Sequence, residues 1–93
     1  MVWNMSKYTP LSEFLNNNHG NKVELTLKQI EIILRERLPP SARMYPAWWH
    51  DPASHPHVKS WTDIGWKVST YTNRGQIERV VFGRVKFQTT KGE

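Results

Sequence analysis

The fold is decided by residues 23–40, which read VELTLKQIEIILRERLPP. Residues 23–25 alternate between apolar and charged side chains, as a half-buried strand does. Thr26 and Gln29 follow at the spacing of a capping box, which marks the start of a helix. The apolar residues beyond it recur at helical spacing and form one stripe: Leu27, Ile30, Ile33, Leu34 and Leu38. Because Pro39 and Pro40 cannot continue a helix, this stretch predicts a short strand that leads directly into a helix.

A further helix is predicted on each side of this unit. Upstream, Thr9-Pro10 supplies a capping residue and a proline for the first turn, and the apolar spacing that follows predicts a helix over 10–17. Downstream, Pro56 lies in the first turn of a third helix, whose apolar face is Val58, Trp61 and Ile64. Residues 39–56 between these helices are rich in proline but also hold three aromatic residues. We therefore expect an ordered, irregular connection there.

The C-terminal part of the sequence is typical of a β-hairpin. Residues 66–72 are rich in β-branched and aromatic side chains, and residues 77–87 form a second such run. Residues 73–76, Asn-Arg-Gly-Gln, form a turn signal between them, with a glycine available for positive φ. Residues 89–93 show no apolar pattern and are predicted to be a frayed tail.

The resulting order is helix, strand, helix, long loop, helix, strand, strand, which indicates an α+β domain. It is the order of a winged helix with three helices and a three-stranded antiparallel sheet, and we expect a single such domain over residues 1–88. The loop of 39–56 is much longer than the usual helix-turn-helix connection. An alternative is a sandwich in which the helices cover one face of a small sheet and none of them is a recognition helix.

Composition excludes several classes of function. The 93-residue sequence has no cysteine, so disulfides, thiolate metal sites and cysteine nucleophiles are excluded. It has no apolar run long enough to cross a bilayer, which favours a cytoplasmic protein. No phosphate-loop, dinucleotide-binding or hydrolase motif is present, so we expect neither catalysis nor a cofactor. Thirteen Lys and Arg against eight Asp and Glu give a net charge of +5, which favours a polyanionic partner such as nucleic acid.

The winged-helix interpretation assigns residues to double-stranded DNA. The third helix would be the recognition helix, and the hairpin would be the wing that grips the backbone. A guanidinium just before the tryptophans could reach a phosphate, or it could pair with a nearby carboxylate such as Asp51. The candidate nucleic-acid-binding residues are Arg43, His57, Lys59, Ser60, Lys67, Arg74 and Arg79.

Two other functions compete with this interpretation. If the backbone around Trp48 and Trp49 is extended, one of these side chains points outward. With Tyr45 it would form a patch that stacks on a base or binds a protein, as in a phage or prophage accessory module that binds a host protein. The second competitor is a His-dependent nuclease or metal site built on His50, Asp51, His55 and His57. This signal is weak, because His55 and His57 do not share a helix face, and we predict no metal.

The central residues resemble a family of small, mostly uncharacterised bacterial and phage domains. Its pattern reads Leu-Pro-x-Ser-Ala-Arg, then Ala-Trp-Trp, a His, a Trp and Gly-Trp. The matching positions are Leu38, Pro39, Ser41, Ala42, Arg43, Ala47, Trp48, Trp49, His55, Trp61, Gly65 and Trp66. Relatives carry Asn soon after the paired tryptophans, whereas this chain has His50-Asp51. The resemblance covers most of the chain and implies no established activity.

Overall fold

The computed structural model describes residues 7–85. Within them, five α-helices, one 3₁₀ helix and three strands follow one another. The helices are α1 (Thr9–Asn16), α2 (Leu27–Leu34), α3 (Pro40–Met44), α4 (Ala47–His50) and α5 (Lys59–Thr62), with the 3₁₀ helix Pro56–Val58 just before α5. The strands are β1 (Lys22–Thr26), β2 (Trp66–Asn73) and β3 (Gln76–Arg84). No helix among these residues is long and apolar enough to span a membrane.

The three strands form one antiparallel sheet with β3 in the middle, in the order β1-β3-β2. A two-residue turn joins β2 to β3. Its residues, Arg74 and Gly75, both have positive φ, at 56° and 81°. Such a pair is typical of the type I′ turn, whose twist matches that of the flanking strands. The register shifts where Tyr71 is followed by Thr72, and Glu78 is the extra residue on β3.

The helices cover one face of the sheet, called here the inner face. Its strand residues Val23, Leu25, Val80 and Phe82 are buried. Helix α2 contacts β3, while α4 and α5 contact β2. The helical layer adds the largest fully buried side chains of the core, Trp49 and Trp61, and β2 adds Trp66. The chain without cysteines is therefore stabilised by aromatic and aliphatic packing between two layers.

The predicted α+β class and three-stranded antiparallel sheet are confirmed, but the number of helices is not. The predicted long helix ends at Leu34, because Arg35 adopts a left-handed conformation with φ 60°. The prolines then start a new helix instead of a loop, since proline is favoured in a first helical turn. The loop predicted for 39–56 holds both α3 and α4, and the predicted third helix is split into the 3₁₀ helix and α5.

Two further predictions concern the start of α2 and the C-terminal end of the chain. The predicted capping box at the start of α2 is confirmed: the Thr26 hydroxyl accepts from the Gln29 N–H, and the Gln29 side chain accepts from the Thr26 N–H. The predicted continuation of the last strand to Phe87 and the predicted tail at 89–93 lie outside the described residues.

Candidate functional site

The paired tryptophans are both buried, which corrects the expectation that one of them is exposed. Trp48 is 4% exposed and Trp49 is 0% exposed. The expectation assumed an extended backbone, but both residues lie in α4, where adjacent side chains differ by about 100° in direction and can both reach a core. The Trp49 indole N–H donates to the Ala42 carbonyl at 2.8 Å, which fixes its position. Of the predicted aromatic patch, only Tyr45 is exposed, at 60%.

His57 packs inside the same aromatic cluster. Its Nε2 lies 2.8 Å from the Trp48 carbonyl oxygen, and its ring centroid lies 4.0 Å from that of Trp48 and 5.1 Å from that of Tyr8. Burial among these rings lowers the pKa of His57 and favours the neutral imidazole. This geometry is that of a packed side chain and does not support a contact between His57 and a DNA base. Among residues 7–85, no three His, Cys, Asp or Glu side chains come together as a metal site.

The predicted recognition helix is short. α5 has four residues, about a single turn, and is therefore shorter than a recognition helix that lies along a DNA groove. Lys59 at its first position is exposed, whereas Ser60 is half-buried and its carbonyl accepts a hydrogen bond from the Ser12 hydroxyl at 2.6 Å. Only Lys59 of the predicted recognition set is therefore free to reach a ligand.

The basic residues of the hairpin occupy two different places. Lys67 and Arg79 point from the sheet face that the helices leave uncovered, called here the outer face. Arg79 forms an ion pair with Glu24 at 3.0 Å and lies over the Tyr71 ring, 4.4 Å from its centroid. Arg74 is exposed at the turn itself.

A cleft of about 430 Å³ brings the hairpin turn close to Arg43. It lies between the start of α2 and the turn, and its polar lining is Thr26, Lys28, Arg43, Asn73, Gln76 and the carboxylate-bearing Glu78. We call it the turn cleft. Arg43 does not pair with Asp51. Its Nη2 donates instead to the Glu31 carboxylate at 2.7 Å, which holds the guanidinium at the edge of the helical layer.

A second depression of about 340 Å³, called here the sheet groove, lies on the outer face. Lys22, Lys67, Ser69, Tyr71 and Gly83 are among its lining residues. Arg84 also borders it, but its guanidinium is engaged with the Asn18 carbonyl at 2.7 Å and with the Trp66 ring. The structure therefore separates the predicted cations into Arg43 beside the turn cleft and Lys67 in the sheet groove.

Sequence reasoning missed three residues that line these two sites. Lys28 stands in the first turn of α2, and the capping box already marked that turn. Lys22 precedes buried Val23, so the period-two pattern placed Lys22 on an exposed face. Tyr71 follows exposed Lys67 and Ser69 at every second position of β2, which places it on the same face as they are. What the sequence could not show is that Lys22 and Lys67 flank the same glycine, Gly83, because that depends on strand order.

Comparison with known protein families matches residues 8–83 to one family, described as Domain of unknown function (DUF7662). The match covers most of the chain, so the chain belongs to this family. The resemblance to an uncharacterised family is thus confirmed. No curated protein matches the chain, and no solved structure matches it.

Proposed function

We propose that this member of the family is a non-catalytic module that binds nucleic acid, with double-stranded DNA as its principal ligand, and that its β2–β3 hairpin acts as the wing of a winged-helix-like domain. The observation that carries the proposal is the turn cleft, where Lys28 and Arg43 from the helical layer lie beside the hairpin turn. Arg74 is exposed at that turn and adds a third cation near the cleft, against the Glu78 carboxylate in its lining.

The chemistry of Arg43 is compatible with phosphate binding. A guanidinium has five N–H donors, and the hydrogen bond to Glu31 uses one of them. The ion pair pre-orients the side chain, so that less conformational entropy is lost when a phosphate binds. The Glu31 carboxylate also accepts the Leu38 N–H at 2.9 Å, which fixes its position beside Arg43.

The order of the strands also supports a wing. A winged helix needs its first strand beside the last one, as in the β1-β3-β2 order seen here. Because α5 has a single turn, it gives less support to base recognition by a helix in the major groove than the sheet gives to a wing. We therefore assign the main phosphate contacts to Lys28, Arg43 and Arg74, with Lys59 as an outlying contact.

The alternative of a protein-interaction module has weaker support. It relied on Tyr45, Trp48 and Trp49 acting together, and two of these three side chains are buried. Trp and Tyr side chains act as binding hot spots only when a partner can contact them.

The test is fluorescence-anisotropy titration of a labelled DNA duplex at about 50 and 200 mM salt. Lys28→Gln and Arg74→Asn should each weaken binding several-fold and reduce the salt slope by roughly one unit, because each removes one phosphate contact. Asn tolerates the left-handed conformation required at position 74, so the turn is preserved.

Two control substitutions locate the interface. Arg37→Gln removes a charge beyond the far end of α2 and should change affinity much less than Arg74→Asn. Lys59→Gln distinguishes binding through a recognition helix from binding through the hairpin. A larger loss of duplex affinity for Lys59→Gln than for Arg74→Asn would favour the recognition helix. Absence of duplex binding at the lower salt concentration would refute the proposal.

A further inference from the structure

The outer face of the sheet is open, and its residues form ordered rows. In register, Gly83 on the central strand lies between Lys22 on β1 and Lys67 on β2. Adjacent strands are about 4.8 Å apart, so the two lysine backbones are separated by roughly 10 Å, with no side chain between them. This row forms one end of the sheet groove.

At this end the floor of the groove is half-buried backbone with no side chain above it, because residue 83 is glycine. A Cβ placed at Gly83 would meet nothing within 4 Å. The residue does not have positive φ, so the strand conformation itself does not require glycine here. Glycine inside a strand weakens it and often marks a place where a ligand approaches the backbone closely. A ligand can therefore settle on the sheet between the two lysines.

The charge of this face is complementary to an anion. Glu24 is the acidic residue that the alternation places on the outer face, and its carboxylate is already paired with Arg79 at 3.0 Å. Within residues 7–85, neither Lys22 nor Lys67 forms an ion pair. Their positive charges are therefore not neutralised locally.

The other end of the groove carries an aromatic ring. Tyr71 lies four residues along β2 from Lys67, which corresponds to about 13 Å of strand. It is 45% exposed, although the Arg79 guanidinium covers one part of its ring. β2 is an edge strand, so the ring has a strand neighbour on one side only. A base can stack on such an aromatic and cationic platform.

We propose that the sheet groove binds an extended single-stranded segment of nucleic acid, with its backbone phosphates on Lys22 and Lys67 and a base stacked on Tyr71. This inference rests on the proposed nucleic-acid-binding function and adds a second contact surface to it. A base can stack on Tyr71 only if it is unstacked from its own neighbours, as it is in a single strand and not in an intact duplex. The hairpin would then contact duplex DNA at its turn and a separated strand along its outer face.

The experiment compares a labelled oligothymidylate of about 12 nucleotides with the labelled duplex, using the full chain. Gly83→Val raises the groove floor from a position where a Cβ meets nothing within 4 Å, and should weaken single-strand binding at least tenfold while leaving duplex affinity within about twofold. Tyr71→Ala should weaken it roughly 5- to 150-fold, the usual range for loss of one stacked base, whereas Tyr71→Phe retains most of the affinity.

Stability controls accompany these variants. Thr72→Val places the same side chain at an exposed strand position outside the groove lining and should leave both affinities unchanged. The melting temperature of Gly83→Val should equal or exceed that of the wild type, because valine favours the strand. Should Gly83→Val fail to fold, the comparison of Tyr71→Ala with Tyr71→Phe still decides the matter.

The outcomes separate the two proposals. Duplex binding without oligothymidylate binding, or oligothymidylate binding unaffected by Gly83→Val and Tyr71→Ala, refutes the single-strand site and leaves the duplex proposal standing. Failure of the wild type to bind either probe refutes both.

Discussion

The two faces of the three-stranded sheet differ in burial and in the polarity of their side chains. The inner face carries Val80 and Phe82, fully buried beneath the helical layer and its tryptophans. The outer face, one residue out of phase on the same strands, carries mainly charged and polar side chains around the half-buried Val81 and Gly83. The inner face therefore carries most of the stabilising apolar burial, and the outer face contributes little to it.

This difference places the stabilising core and the proposed single-strand site on separate surfaces of one sheet. Side chains on alternate strand positions point to opposite faces, so a substitution at Gly83 or Tyr71 need not disturb the core. Conversely, substitutions of the buried tryptophans should lower the free energy of unfolding, so their effect on binding cannot be separated from their effect on folding. The predictions that follow test this separation.

The largest expected effect is at Trp49. Trp49→Ala should lower the free energy of unfolding by about 3–5 kcal/mol, since it leaves a large cavity in the core and removes the hydrogen bond to the Ala42 carbonyl. Chemical denaturation measures this. Tyr45→Ala, which changes an exposed aromatic residue nearby, should cost less than about 0.5 kcal/mol. A comparable loss for the two variants would show that the tryptophan is not a core residue.

A smaller loss of stability is expected on substitution of Glu31. Its carboxylate in α2 accepts a hydrogen bond from Arg43 of α3, which lines the turn cleft. Its carboxylate accepts from both the Leu38 N–H and the Arg43 guanidinium. Glu31→Ala should cost about 1–3 kcal/mol, because it leaves a partly buried donor unsatisfied. Arg43→Ala should cost less, since Leu38 keeps its acceptor. If denaturation shows the opposite order, the ion pair and not the capped N–H is the main contribution of Glu31.

Most of the fold could be predicted from the sequence because its local signals agree. The capping box at Thr26 and the turn at Arg74-Gly75 each determine backbone geometry over a few residues. The prediction was wrong where one residue overrode an apolar stripe. Arg35 ends α2 in a left-handed conformation, although Leu38 continues the helical spacing, and propensity does not forbid a longer helix.

The candidate site was less predictable because it depends on long-range pairing. Arg43 was identified from its neighbours, but its partner Glu31 lies twelve residues away on another helix. Trp48 and Trp49 would diverge on an extended backbone, and the short helix that buries both is not visible in a segment full of turn signals. Lys22 and Lys67 come together only through their shared neighbour β3. Such contacts need the topology, which local patterns do not contain.

The smallest effect expected is a pH dependence caused by His57. Burial lowers its pKa, and His55 and Lys7 act in the same direction, although the hydrogen bond to the Trp48 carbonyl opposes them. The unfolded chain then binds the proton more tightly, so the free energy of unfolding should fall as pH drops below about 6.5 and level off below the folded pKa. His57→Gln should flatten the curve between about pH 7.5 and 5.5, whereas His19→Gln on the exposed loop should not. An unchanged slope in His57→Gln would show that other groups cause the dependence.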